Sequence, residues 1–394
     1  MALNSNTVTG PFNVGAVGLR QPLLNANEIF ATIFNMIISQ QTYSDNIKGT
    51  YGDLAQRFKV DGTMYGDTKL FYATDCLKSR KWTGDAEASN LLALHRPDDP
   101  KVQYVQIDQA RIIELTIDNY LTKRAWSSSG AFSQFNAVMI GWMGDTKRVY
   151  ESRLINTFIG STISKATKNV ITIDLTTATT DLTGEEKNRV EAQTIATEIA
   201  NLLVDLKDTT RDYNDYKFLR SYNEDDFYYI FNSKVANKIT KLDLPTIFHN
   251  DNLVDKLGKD ALPSRYFGRA LTESDFGSGK VIKADGSYDS TKGTLRANDE
   301  FDYNNVHYFP GDALATSGTY VGVVGGLEVS QVYLEINDVI CKIVHKSGVP
   351  FMGAFETNTS FYNPLSLTEN KYLIWMYSQP CYLYNYPFLT IKKA

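Results

Sequence analysis

The chain has 394 residues, 43% hydrophobic and 22% charged, the balance of a soluble globular protein with room for more than one subdomain. Net charge is −5 at pH 7 and neither end carries a run of Lys and Arg, which argues against direct neutralisation of nucleic acid by a basic arm. Cys76, Cys341 and Cys381 are far apart, odd in number and without CxxC spacing, which sets aside a disulfide framework or zinc site and suits a reducing, cytosolic assembly environment.

Residues 1–22, rich in Gly, Asn, Thr and Val and holding Pro11 and Pro22, read as an extended arm without its own core. Met1-Ala2-Leu3-Asn4 lacks the charged and apolar regions of a signal peptide. Asn25 and Glu28 have capping-box spacing, and Ile29, Phe30, Ile33, Phe34, Ile37 and Ile38 follow at helical period. This window is interrupted by Thr32 and Asn35 and is too short to span a bilayer, so no membrane contact is expected.

Gly49, Gly52, Gly62 and Gly66 then punctuate short segments, with a turn at Asp61-Gly62. Leu70 to Ala73 reads as a strand. A polar stretch, Arg96-Pro97-Asp98-Asp99-Pro100, leads to a second strand from Val102 to Asp118, where Ile113, Leu115 and Ile117 alternate with Glu114 and Thr116. Together these predict a long two-stranded projection that needs something outside itself to pack on. Residues 127–160 carry the longest helical pattern. Ser127, Ser128 and Ser129 offer N-caps, and Phe132, Phe135, Val138, Met139, Trp142, Tyr150, Leu154, Ile155 and Phe158 make up the stripe. Gly141 and Gly144 mark a bend or a close contact in it.

Asn169 to Leu175 reads as a strand, followed by a Thr-rich turn and a helix opened by a capping box, Thr183 with Glu186. Ile195, Ile199, Leu202, Leu203 and Leu206 give that helix its apolar face. The run Phe227 to Phe231 predicts a strand buried on both sides, and Asn232-Ser233 starts a short helix with Val235 and Ile239. Residues 274–319 are Gly-, Asp- and Ser-rich and read as a loop-rich insertion. Strands are predicted at Val321–Val324, Val329–Ile336, Val339–Val344, Tyr372–Tyr377 and Tyr382–Ile391. The fold class is α+β, with no internal repeat.

Chemistry is sparse. His95, His249, His307 and His345 form no HExxH, and neither a GxSxG elbow nor a P-loop occurs. Gly322 and Gly325-Gly326 lie close together without a GxGxxG pattern and read as turn positions. The paired carboxylates Asp98-Asp99, Glu185-Glu186 and Asp225-Asp226 read as solvated loop or helix-start charges, and nothing marks a histidine partner for Cys76. No catalytic, cofactor-binding or metal residue is expected, and no enzymatic activity.

Three stretches carry a resemblance: Trp126-Ser127-Ser128-Ser129-Gly130-Ala131-Phe132-Ser133-Gln134-Phe135, Tyr150-Glu151-Ser152-Arg153-Leu154, and Arg220-Ser221-Tyr222-Asn223-Glu224-Asp225-Asp226. With Tyr65-Gly66-Asp67-Thr68 and Ala73-Thr74-Asp75, they resemble the major capsid proteins of small podoviruses such as phi29, which have the capsid fold named for phage Hong Kong 97. The order of elements covers nearly the whole chain; the matching residues are few. The resemblance implies an N-terminal arm with a first helix (1–55), an extended E-loop hairpin region (56–118), a peripheral domain with a spine helix (119–212 and 372–394) and an axial domain (213–371). The immunoglobulin-like domain that follows the capsid fold in phi29 is not expected, and any scaffold is expected to be a separate protein.

The implied function is a virion subunit that self-assembles into the icosahedral, double-stranded-DNA-filled head of a tailed phage, inside the host cytoplasm. Its implied partners are other copies of itself in pentamers and hexamers, a scaffolding protein and the portal, with packaged DNA touched only weakly or indirectly. Residues 68–118 would lie over an adjacent subunit. A phage tail or adhesin subunit with receptor-binding Tyr-rich strands, and a glycoside hydrolase using scattered Asp, Glu and Tyr, are the alternative readings.

Overall fold

The computed structural model describes residues 54–62, 64–79, 81, 94, 96–118, 129–240, 261–271, 293–303, 305–314 and 328–394. The predicted arm, the helix opened by Asn25, the caps Ser127 and Ser128 and the strand Val321–Val324 lie outside the described residues.

A short helix α1 (Leu54–Arg57) and β1 (Lys59–Asp61) lead into β2 (Thr68–Ala73) and the 18-residue β3 (Lys101–Asp118). The long helix α2 (Ser129–Ser161) follows, then β4 (Val170–Ile173), the single turn α3 (Leu175–Ala178) and α4 (Gly184–Lys207). The second half holds β5 (Phe227–Asn232), α5 (Ser233–Thr240), β6 (Ala261–Leu262), β7 (Gly268–Ala270), β8 (Leu295–Ala297), β9 (Phe301–Tyr303) and β10 (Val306–Tyr308). It closes with β11 (Val332–Glu335), β12 (Val339–His345), β13 (Phe351–Asn363), β14 (Thr368–Ser378) and β15 (Phe388–Lys393).

One sheet has the order β4-β15-β12-β5-β6. Helices cover both of its faces, which is why its strands are continuous apolar runs. Phe227, Tyr229 and Phe231 of β5 face α4 and meet Ile195, Ile199, Leu202 and Leu206. Tyr228 and Ile230 face the other way, against Leu154, Ile155 and Ile159 of α2. Burying one such Leu or Ile contributes roughly 1.5–3 kcal/mol. This sheet takes β4 and β15 from the expected peripheral segments and β5, β6 and β12 from the expected axial one.

A longer sheet, β1-β13-β14-β3-β2, packs on another part of α2 through Leu373, Trp375 and Tyr377. A small sheet, β7-β11-β8, has its own core of Leu271, Leu295, Ala297, Leu314, Val332 and Leu334. The hairpin β9–β10 packs beside it through Phe301 and Tyr308.

Several expectations change. Within the expected 274–319 insertion the strands β8, β9 and β10 form, because Leu295, Ala297 and Tyr308 close the small core. Thr183 stands at the N-cap of α4 in extended conformation, but its side chain makes no capping bond. The capping box forms instead at Asn223 and Asp226, where a single 3-10 turn precedes β5. The Thr-rich turn is α3, capped by Asp174. Of the expected strand Tyr382–Ile391 only the part from Phe388 on is strand, since Tyr382, Tyr384 and Asn385 spend their polar groups on neighbouring loops. Strand β13 was not foreseen: its residues beyond Ala354 are mostly polar and exposed, so it lacks an apolar alternation.

Candidate assembly surface

Strand β3 lays out this surface. From Val102 to Thr116 every second side chain is exposed, while Val105 and Ile107 are buried. Pairing with β2 sets Leu70 opposite Tyr104 and Tyr72 opposite Val102. These four are 50%, 66%, 65% and 48% exposed and make an apolar quartet on the outer face of the hairpin. Met64 and Tyr65, just before the hairpin, are also exposed. The inner face behaves differently: Phe71, Val105 and Ile107 pack on Met352, Cys381, Leu383 and Tyr386 of the same chain. Gln103 adds two bonds of 2.9 Å, to the Tyr382 carbonyl and from the Tyr384 N–H.

The hairpin is therefore not a free-standing projection over all of 68–118. Thr68–Ala73 pair with Lys101–Gln106, but Ile107–Asp118 pair with β14 inside the subunit's own sheet. The alternation of Ile113, Leu115 and Ile117 is the pattern of a half-buried strand and carries no information about its partner, which lies some 250 residues further on.

A second apolar projection stands at the other end of the sheet. The β13–β14 turn holds Leu365, 97% exposed, with Phe361, Tyr362 and Leu367 exposed around it. Tyr104 and Asp118 are 14 strand positions apart, so the two patches are separated by on the order of 45 Å. Phe355, at positive φ (31°) where the β13–β14 register shifts, is also exposed. Apolar patches at two ends of one rigid sheet suit contacts with two different neighbours.

Between the patches the sheet is tied to α2 and to the loop before β9. Arg111 donates to Glu300 (2.8 Å), Asp299 (3.0 Å) and the Tyr377 hydroxyl (3.1 Å), and lies 4.3 Å over the Tyr150 ring. Tyr150 and Tyr377 share a hydroxyl contact of 2.6 Å, and Tyr150 also donates to Asp299. Burial, with the neighbouring carboxylate charge, pushes the Tyr150 pKa far up, so it stays a neutral donor.

The family model for the phi29-like phage major capsid protein matches residues 13–379. This chain belongs to that family. Its function is to build the phage head shell, its place is the virion, and its role is structural. No curated protein matches the sequence. A chain in the capsid structure of Staphylococcus phage Andhra shares the fold, with TM-score 0.56, 10% identity, and 90% of this chain covering 87% of that one. A chain in the structure of the head fiber and inner core protein gp22 of native bacteriophage P68 gives TM-score 0.58 at 10% identity, 90% of this chain covering 88% of that one.

The chemistry-bearing residues of this capsid protein are dispersed. His345 is stacked on Tyr386 (centroids 4.3 Å) and edged by Tyr222 and Phe227, and burial lowers its pKa. His307 lies between Asp302 and Glu300; His95 and His249 lie outside the described residues. Asp98 pairs with Lys78 at 2.8 Å, Glu185 and Glu186 sit in the first turn of α4, and Asp226 serves the capping box. Cys76 is exposed, Cys341 is buried in β12, and Cys381 is half-buried. Among the described residues no group of His, Cys, Asp and Glu is placed to hold a metal, and no described helix is long and apolar enough to cross a membrane. One cleft is lined by Leu154, Phe158, Arg269, Asn298, Asp299 and Tyr377, and another carries Glu191 and Asp338.

Proposed function

We propose that copies of this subunit, arranged in pentamers and hexamers, close into the icosahedral head of a tailed, podovirus-type bacteriophage around its double-stranded DNA. Assembly takes place in the host bacterial cytoplasm, on a separate scaffolding protein and around the portal. The observation that carries the reading is the outer face of the hairpin: Leu70, Tyr72, Val102 and Tyr104 form an exposed apolar patch with no packing partner among the described residues, opposite a face packed on the subunit. A neighbouring subunit supplies the missing contact, and a repeated heterologous contact closes first into rings and then into a shell. The arm with its first helix (1–55) and, within the hairpin region (56–118), the β2–β3 pair ahead of Ile107 are the parts that reach neighbours. The peripheral segments (119–212 and 372–394) and the axial segment (213–371) share the sheet built on β12 and act as one body.

The test is electron microscopy of the expressed chain beside the double variant Tyr72→Asp, Tyr104→Asp. The unchanged chain gives closed shells; the variant gives folded, soluble subunits and no shells, because a charge on each large ring opposes its desolvation. Fibres, or discrete particles with glycosidase activity, would transfer the reading to a tail subunit or a hydrolase. Normal shells from the variant would remove the hairpin face from the assembly contact.

A further inference from the structure

Residues 209–220 form a loop closed on itself. Thr210 and Arg220 exchange backbone hydrogen bonds of 2.9 and 3.0 Å. Asn214, 1% exposed, holds Phe218 by both side-chain polar atoms, its Nδ2 donating to the carbonyl (2.7 Å) and its Oδ1 accepting from the N–H (2.8 Å). Lys217 accepts a positive φ of 56° to complete the turn. A loop whose polar groups are satisfied internally in this way is a rigid block rather than a tether.

The block has three attachments. At the end of the spine helix, Asp215 accepts from Ser164 Oγ (2.8 Å) and the Ala166 N–H (3.0 Å). At the segment before β15, the Tyr382 hydroxyl donates to Asp215 (2.7 Å), the Asp215 N–H donates to the Tyr384 carbonyl (2.9 Å), and Arg220 Nε donates to Asn385 (3.2 Å). At the hairpin, directly after β2, Asp75 accepts from the Leu219 N–H (2.9 Å) and from Arg211 (2.5 Å), while Arg220 donates to the Thr74 carbonyl (2.6 Å). The Leu219 N–H and the Arg211 guanidinium hold the Asp75 carboxyl down to about 2, so it is a charged acceptor at every assembly pH.

We propose that the 209–220 block sets the tilt of the hairpin by clamping the end of its strand pair farthest from the main sheet, that Asp75 is the positioning residue, and that this tilt governs shell curvature. The inference rests on the assembly reading above. The outer quartet can meet a neighbour at one defined tilt only if both ends of its strand pair are held: one end continues into the main sheet from Ile107, and at the other the block joins the strand end to the end of α2, through Asp75 and Arg220 on one side and Asp215 on the other. Freeing that far end lets the strand pair swing about its junction with the sheet, and the change is repeated at each subunit contact, so a loosened clamp yields shells of many sizes rather than none.

The experiment uses the full chain with Asp75→Ala and Asp75→Asn, and Asp174→Ala as a control that removes an exposed carboxylate cap on α3, away from the hairpin. Two readouts are taken: protease cleavage within 74–100 in unassembled subunits, and shell diameters by electron microscopy. Asp75→Ala is expected to speed cleavage by about tenfold and to broaden the diameters. Asp75→Asn keeps an acceptor for Leu219 and is expected to fall between Asp75→Ala and the unchanged chain. Asp174→Ala leaves both readouts unchanged. Unaltered cleavage, or altered cleavage with shells of unchanged size and spread, overturns the proposal; so does equal broadening in Asp174→Ala, which would trace it to general destabilisation. Absence of shells from the unchanged chain overturns the assembly reading and this inference with it, whereas a cleavage change in Asp75→Ala would still show the clamp.

Discussion

At Gly160 α2 passes so close to the 3-10 turn Ser264–Tyr266 that an added Cβ would collide with the Tyr266 carbonyl oxygen. The obstacle is backbone and cannot swing aside, so Gly160→Ala is expected to cost ~1–3 kcal/mol, read as a lowered midpoint in thermal unfolding of the subunit. Gly141 and Gly144, the glycines that stand out in the sequence, have nothing among the described residues within 4 Å of such a Cβ. The spacing of a glycine along a helix does not say what the helix will later lie against. Lys342 makes the same point for charge. It sits in the middle of a run that reads as pure core, and its Nζ donates to the Thr162 carbonyl just past the end of α2 (2.7 Å) and to Thr390 Oγ1 (2.9 Å). Burial draws its pKa from 10.5 down to about 7, against the opposing charge of Asp338. The folded chain therefore holds fewer protons than the unfolded one between those values, and this group's contribution to stability rises with pH across that window, by up to about 1.4 kcal/mol per pH unit. Melting curves of the unassembled subunit from pH 7 to 9.5 are expected to show a flatter pH dependence for Lys342→Met than for the unchanged chain; equal slopes would count against a neutral buried amine.

At the scale of elements, the β9–β10 hairpin is pinned by one titrating side chain. His307 and Asp302 are cross-strand partners at 2.7 Å, and His307 also meets Glu300 at 2.8 Å, which in turn holds Arg111. Partial burial lowers the His307 pKa, but the Asp302 hydrogen bond and the Glu300 charge outweigh it, and the net shift is upward. A raised folded value means that the clasp is fully present below about 6.5 and is lost as pH rises through that folded value. Amide exchange in 301–308, corrected for its intrinsic pH dependence, is expected to be slower at pH 6 than at pH 8.5, and His307→Gln is expected to erase the difference. The elements themselves were readable to different degrees. β3, α2, α4, β5 and β12 announce themselves because burial imposes a period on their side chains. β13 does not, since backbone pairing to β14 holds most of its length with little side-chain burial. The quartet Leu70, Tyr72, Val102 and Tyr104 lay within the predicted hairpin, but only the register made it one surface.

For the whole molecule, the acidic balance of −5 bears on the DNA content proposed for the shell. A shell filled with DNA from outside gains from a lining that binds it weakly, since each neutralised phosphate adds affinity that would resist movement. The purified subunit is expected to leave linear duplex DNA unretarded on a gel at physiological salt. Binding whose logarithm fell steeply with the logarithm of salt, by roughly 0.9 per phosphate neutralised, would point instead to a basic inner surface assembled from dispersed residues.

By itself the sequence determined the α+β class, the long helix and the strands that bracket it, and the capsid resemblance, because these follow from local periodicity and from the order of short motifs along the chain. Tertiary structure alone decided which strand β3 pairs with on each side, that β4, β5, β12 and β15 share one sheet, and that the loop end of the β2–β3 pair is gripped by residues 209–220. Each of these joins groups far apart in the chain through hydrogen bonds whose donors and acceptors every residue carries. A backbone N–H such as that of Leu219 looks the same in the sequence whether it meets water or Asp75.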